Sequence, residues 1–222
     1  MDFEYGYVTG ILCGRGHLIQ DRKNGNYGIS IESGDIELLR FFSLCLYDVF
    51  KAKTKISPLK RAHNTTNHHI LYCYSKETSK KLLNVFKGSI GTHHWQPPTH
   101  AHTNPAFRTG FLKGFFDHKG TIRIRYKKSG ARFEKIRNIR ASSVNLRGLF
   151  AVKKLLLLEG IQCTIYRCKT LHVLDIEGKN RLESYQKKIN FTSSEKKKRL
   201  ENATEFMTFN ERCIEKSTAD FV

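Results

Sequence analysis

Two basic side chains, Arg15 and Lys119, hold the same place in two copies of one short segment. The first copy runs Val8-Thr9-Gly10-Ile11-Leu12-Cys13-Gly14-Arg15-Gly16, the second Leu112-Lys113-Gly114-Phe115-Phe116-Asp117-His118-Lys119-Gly120. Gly10 and Gly16 recur as Gly114 and Gly120 at one constant offset, close to half of the 222 residues. Each copy reads as an apolar helix ended by a glycine and followed by a strand-like run. Two copies at so long a period make a duplicated domain and not a solenoid. An arginine is effectively always protonated, and a lysine beside phosphate normally is too. Such a pair can grip a phosphodiester through charge-assisted hydrogen bonds. It also repels the hard divalent cations that carboxylates hold.

The repeated segment resembles the signature helix of the LAGLIDADG homing endonucleases and their maturase relatives. The resemblance implies that Gly10 and Gly114 let two helices pack backbone to backbone at a pseudo-twofold axis. It further implies that Gly16 and Gly120 end those helices where the chain turns into a sheet, as helix-terminal glycines do. The family's metal-binding aspartate falls at Arg15 and Lys119, so both acids are replaced by cations. Asp117 survives at a position the resemblance marks as structural. Two-metal cleavage needs anions to hold the ions together. The expectation is therefore a scaffold kept for binding, with no catalytic residue, no metal and no cofactor. The rival is an active site-specific endonuclease whose Mg²⁺ is held by other acids, Asp117 first, then Asp21 or Glu32.

The elements that must position these residues follow one plan twice. Glu4 to Gly14 reads as the first signature helix. Strands at about 17–22 and 27–33 are joined through Asn24-Gly25, a hairpin signal. Asp35 is placed to cap a helix from Ile36 to Lys51, with Leu38, Leu39, Phe42, Leu46 and Val49 at amphipathic spacing. Strands near 54–62 and 68–74 and a helix from Ser75 to Lys87 complete the half. The second half repeats this from Phe107, with strands at 121–127 and about 132–142, and a helix over 146–159 stopped by Gly160. Strands near 162–168 and 171–177, a helix over 179–188 and a basic helix from Ser193 follow. The fold class is thus α+β, two pseudo-twofold-related αββαββα halves which, by the resemblance, form a saddle of antiparallel sheets. The expected boundaries are 1–92, a linker at 93–106 rich in His, Pro and Thr, and 107–222 with the basic C-terminal helix.

In that family the two sheets straddle a duplex, and alternation along a strand selects the side that meets it. In Thr121-Ile122-Arg123-Ile124-Arg125-Tyr126-Lys127, the apolar positions would pack under helices while Arg123, Arg125 and Lys127 face the groove. Arg137 and Arg140 on the neighbouring strand are expected to join the patch, with Lys135. In the first half Gln20, Arg22, Ser30, Lys60 and Arg61 are the candidates. Lys196 and Lys197 lie where the resemblance places a basic residue near the central site. Tyr126, Tyr166, Trp95 and Phe133 are candidates for stacking on bases, although aromatics in or beside strands are more often core.

Charge sets the partner class. The formal net charge is +19, and 26 of the 39 Lys and Arg lie in residues 105–222. Cations gain affinity for a phosphate backbone by releasing its counterions, so nucleic acid, DNA or RNA, is the expected partner. Intron or ribosomal RNA within a ribonucleoprotein is one setting. A structural protein without such a partner conflicts with this charge. A mean hydropathy of −0.47 fits a soluble globular chain. No apolar run reaches membrane-spanning length, so no membrane partner is expected. The acidic start lacks a secretory layout. The six cysteines form no CxxC pair and read as core residues in a reducing intracellular compartment, cytoplasm or organelle matrix. His93, His94, His100 and His102 could supply metal ligands, but no cysteine lies near and a polar linker is simpler. An internal duplication favours a pseudo-symmetric monomer.

Overall fold

The computed structural model describes residues 1–14, 16–21, 26–59, 68–86, 90–91, 93–129 and 132–205. Its first half runs α1 (Asp2–Gly14), β1 (His17–Asp21), β2 (Asn26–Ser33), α2 (Ile36–Phe50), β3 (Lys55–Leu59), β4 (His68–Cys73) and α3 (Lys76–Val85). A single helical turn, α4 (His100–Thr103), leads into the second half. That half runs α5 (Pro105–Lys119), β5 (Thr121–Ser129), β6 (Arg132–Ser143), α6 (Leu146–Leu158), β7 (Thr164–Cys168), β8 (Leu171–Glu177) and α7 (Lys179–Lys188), and α8 (Ser194–Thr204) follows. Each half makes one antiparallel four-stranded sheet in the same order, β1-β2-β4-β3 and β5-β6-β8-β7. The α+β plan and the duplication read from the sequence are both present.

Local chemistry sets the helix starts. The Asp35 carboxylate accepts from the Glu37 and Leu38 amides at 2.9 and 3.2 Å, as its position foretold. Ser75 and Ser193 cap α3 and α8 in the same way. One start differs from expectation. Asn104 caps α5 through the Phe107 amide at 3.0 Å, and Pro105 supplies a first residue whose missing N–H costs nothing there. The helix therefore begins two residues before Phe107, inside the expected linker. That linker is also anchored: Trp95 is 3% exposed, and its backbone carbonyl accepts from Asn145 Nδ2. Its role is in the core, not in stacking on bases.

The core centres on α1 and α5. A Cβ placed on Gly10 would overlap the Phe111 carbonyl oxygen, and one on Gly114 the Tyr7 carbonyl oxygen. Gly6 and Gly110 repeat the relation, against Phe107 and Phe3. The helices thus touch backbone to backbone over two turns, four glycines exchanging contacts about the local twofold. Sequence reading found Gly10 and Gly114 but missed their partners one turn earlier, although the four-residue spacing was visible. Gly16 and Gly120 are required for a different reason than helix-ending glycines usually are. Gly120 has φ −73° and ψ 130°, which any residue adopts, but a Cβ there would strike the Phe116 carbonyl. At Gly16 it would press 2.6 Å from Leu12 Cδ2.

The helix pair has no slack for a methyl group. Gly10→Ala should cost roughly 2–3 kcal/mol or more, the scale of core overpacking. Urea unfolding measures it against Gly91→Ala, where nothing lies within 4 Å of an added Cβ. Equal midpoints for the two variants would show that the backbones do not meet.

Candidate nucleic-acid interface

The glycine contact brings the C-terminal ends of α1 and α5 together. At Gly14, the last residue of α1, an added Cβ would sit 3.1 Å from the Cβ of His118 in the last turn of α5. Arg15 follows directly but lies outside the described residues. Lys119 is the last residue of α5, half-buried and already engaged within the protein.

Asp117 is turned away from this junction. Its carboxylate is buried, accepting from the Tyr7 hydroxyl at 2.8 Å and the Thr192 amide at 2.8 Å. Burial pushes its pKa above the ordinary carboxylate range, against the opposing pull of Lys113, Thr192 and Tyr7. It pins α1, α5 and the α7–α8 connection, so the acid named as the fallback metal ligand is committed to contacts within the protein. Among the described residues, no group of three His, Cys, Asp or Glu is placed to hold a metal. Asp117 thus points inward, and the sequence puts the cations Arg15 and Lys119 directly before the two glycines.

Lys196 was expected to reach phosphate. Its ammonium instead donates to the carbonyls of Asp117 at 2.5 Å, Gly120 at 2.9 Å and, more weakly, Phe116 at 3.5 Å, which are the open carbonyls where α5 ends. Burial holds its pKa below the usual lysine value, with Asp117 pulling the other way. Lys197 is half-buried on the same helix. Glu37 Oε2 accepts from the Ser194 amide at 2.6 Å and so lashes the start of α8 to α2. Beside this junction a cleft of about 670 Å³ is lined by Asp35, Glu37, His68, Thr121, Lys196 and Arg199, a mixture of charges without a focus.

The second sheet carries the clearest basic surface. Ile122, Ile139, Ala141, Leu174 and Ile176 are buried on the helix side. Register then puts Thr121, Arg123, Arg125 and Lys127 on the other, helix-free face, opposite Arg140, Asn138, Ile136 and Glu134. Arg123, Arg125 and Lys127 are exposed as expected, with Glu134 opposite Lys127 and exposed Glu177 beyond Asn138 in the row of Arg123. Tyr126 is on the helix side but remains partly exposed at the hairpin end.

Two candidates lie on the wrong face for that patch. Lys135 and Arg137 share the parity of Ile139, on the helix side. Lys135 Nζ donates to the Asn202 carbonyl at 2.7 Å, and Arg137 Nη1 to the Ala203 and Glu205 carbonyls at 2.9 and 3.3 Å. They tie down the end of α8, where cations suit the helix dipole. Arg140 does face the helix-free side, held by Asp175 at 2.9 Å through its Nε.

The first sheet offers less. Ser30 lies on the helix-free face between His17 and Tyr72 but is only 9% exposed. Gln20 pairs with Tyr27 in β1, at the register class of Leu18 and not that of Ser30. Arg22, Lys60 and Arg61, like Phe133's side chain, lie outside the described residues. Exposed His17 and Lys55 share the helix-free row instead, with Tyr72 stacked on exposed Tyr74 at 5.7 Å. Strand alternation through β3 and β4 carried that signal.

These observations agree with the comparisons with known proteins. A LAGLIDADG-like domain family model matches residues 106–190. Variants of the homing endonuclease I-DmoI superpose with a TM-score of 0.60 at 18% identity, over 85% of this chain and 96% of that one. I-DmoI in complex with DNA and Mn gives 0.59 at 18% identity, over 85% and 97%. Full-length DUF199/WhiA from Thermatoga maritima gives 0.57 at 13% identity, over 99% of this chain and 66% of that one. No curated protein matches the sequence. The chain has the two-half LAGLIDADG homing-endonuclease fold, and its second half carries a LAGLIDADG-like domain.

The Asp117 environment makes a signed pH prediction. A carboxyl whose folded pKa is raised binds its proton more tightly in the native state. Native stability then declines as pH climbs from the ordinary carboxylate range through the raised value. Asp117→Asn can still accept from Thr192 and donate to the Tyr7 oxygen, with no proton to lose. Urea unfolding from about pH 3 to 7 should show the variant gaining on the native protein as pH rises, then levelling. A native protein that gains on the variant instead would show a carboxylate stabilised by charge, as a metal ligand would be.

Proposed function

We propose that this chain binds duplex DNA on a homing-endonuclease scaffold and does not cleave it. The observation that carries this reading is the exposed row Arg123, Arg125 and Lys127, on the helix-free face beside the end of α5. Those cations sit about two residues apart on one strand face, a spacing of roughly 7 Å that suits successive phosphates or base edges. The loss of cleavage rests on the chemistry of the helix ends. Hydrolysis through bound metal needs anionic ligands, and the equivalent positions are Arg15 and Lys119. Asp117 is committed to Tyr7 and Thr192.

DNA is preferred as the partner because I-DmoI, which shares the fold, has been crystallised with DNA. The single chain supplies both halves of the cradle, so the binding unit is a monomer. The described cysteines are all free, and Cys213 lies outside the described residues, which suits a reducing intracellular compartment. No helix among the described residues is long and apolar enough to cross a membrane.

Fluorescence anisotropy on a duplex of about 30 base pairs across a salt series tests the binding. Affinity should fall steeply with salt. Replacing Arg123, Arg125 and Lys127 by serine should lower the slope of log affinity against log salt by roughly 2–3. An unchanged slope would remove this row from the interface, and stronger binding to structured RNA in competition would overturn the choice of DNA. Incubation with plasmid libraries and Mg²⁺ or Mn²⁺ should leave them intact. Reproducible cuts would overturn the loss of cleavage.

A further inference from the structure

Asp175 lies on the helix-free face of the second sheet, yet it is only 2% exposed. One carboxylate oxygen, Oδ2, accepts three donors: Arg140 Nε at 2.9 Å, Asn138 Nδ2 at 3.1 Å and the Tyr166 hydroxyl at 3.3 Å. The Arg140 guanidinium also lies over the Tyr166 ring, 5.7 Å from its centroid. The guanidinium is thus fixed from its Nε edge by an acid and from its face by an aromatic ring. Its side chain retains 20% exposure. Neither Nη has a protein partner among the described residues, so two parallel donors are left unspent.

A guanidinium is the side-chain group that pairs bidentately with guanine O6 and N7 in the major groove. Discrimination requires that the fork be held in place before the base arrives, because an unrestrained arginine serves any phosphate equally well. We propose that Arg140, positioned by Asp175, Asn138 and Tyr166, reads a guanine in the DNA. This inference rests on the DNA-binding reading above and deepens it from phosphate contact to base readout.

Location makes the proposal more specific. Across the sheet, Arg140 pairs with Thr121 on one side and Asp175 on the other, with Thr164 beyond. Thr121 directly follows Gly120 at the end of α5, so Arg140 stands one strand, about 5 Å, from the helix junction at the local twofold. The guanine should therefore fall within about two or three base pairs of the centre of the footprint, at roughly 3.4 Å per step. The equivalent row of the first sheet is His17, Ser30, Tyr72 and Lys55, which holds no arginine. The guanine should therefore appear in one half of the site only.

The test is selection from a random duplex DNA library with the native protein, Arg140→Lys and Asp175→Asn. Circular dichroism confirms that each variant is folded. The native protein should enrich an off-centre guanine in one half-site, with roughly 10- to 100-fold preference over other bases. Arg140→Lys keeps the charge but lacks the fork. It should lose that preference while still binding random duplex in a salt-dependent way, because the positive charge is kept. Asp175→Asn should weaken the preference through the freed guanidinium. If Asp175→Asn fails to fold, Arg140→Lys alone decides the matter. A guanine preference that survives Arg140→Lys would overturn the inference, and so would duplex binding without sequence preference. Neither result touches the binding reading. Absence of any duplex binding would overturn both.

Discussion

Direct backbone contact between α1 and α5 is the constraint on which the rest depends. Two helices ordinarily pack with their axes 8–10 Å apart, separated by side chains. Here Gly6, Gly10, Gly110 and Gly114 remove those side chains where the helices cross, and each opposes a carbonyl of the partner helix. The same contact fixes both helix ends side by side, and each end leads within two residues into the first strand of its sheet. The spacing of the two sheets is therefore set by a backbone distance and not by adaptable side chains.

The second-half helix end is then completed by groups from far away in the sequence. Lys196 neutralises the carbonyls that end α5, while Asp117 draws Tyr7 and Thr192 together. Burial disfavours the charge on both, lowering the lysine and raising the acid. Asp117 attracts Lys196, and Lys113 attracts Asp117, so these desolvation costs are partly offset. The result is a closed polar network beneath the helix junction.

Much of this was legible in the chain, for reasons that differ by element. Repetition of the glycine segment gave the duplication, and Ile-Arg-Ile-Arg along β5 gave its two faces, because one side of that strand is simply apolar. On β6 the same rule failed. Lys135 and Arg137 lie on the helix side, where sequence logic expects apolar residues. They are tolerated because the last carbonyls of α8 need donors, a demand created only once α8 docks there. Lys196 does lie by the helix junction, but its partners, the carbonyls that end α5, could not be read from a run of lysines. Asp175 gave no signal at all. A lone acid in Leu171-His172-Val173-Leu174-Asp175-Ile176 acquires meaning only when register sets it beside Arg140.

Electrostatics at the helix ends link the fold to the chemistry proposed for it. A helix C-terminus carries a partial negative charge, about half an electron, from its unpaired carbonyls. Carboxylates brought to two converging C-termini would oppose those dipoles and each other, and a bound cation would be needed to relieve the repulsion. At the end of α5, Lys119 in the last position and Lys196 on the open carbonyls suit that dipole instead, and the sequence puts Arg15 at the equivalent position of the first copy. The helix-free face of the second sheet, which carries Arg123, Arg125 and Lys127, continues the same positive field outward. On the reading proposed above, one replacement of acids by cations both serves the grip on phosphate and removes the ligands that a metal would need.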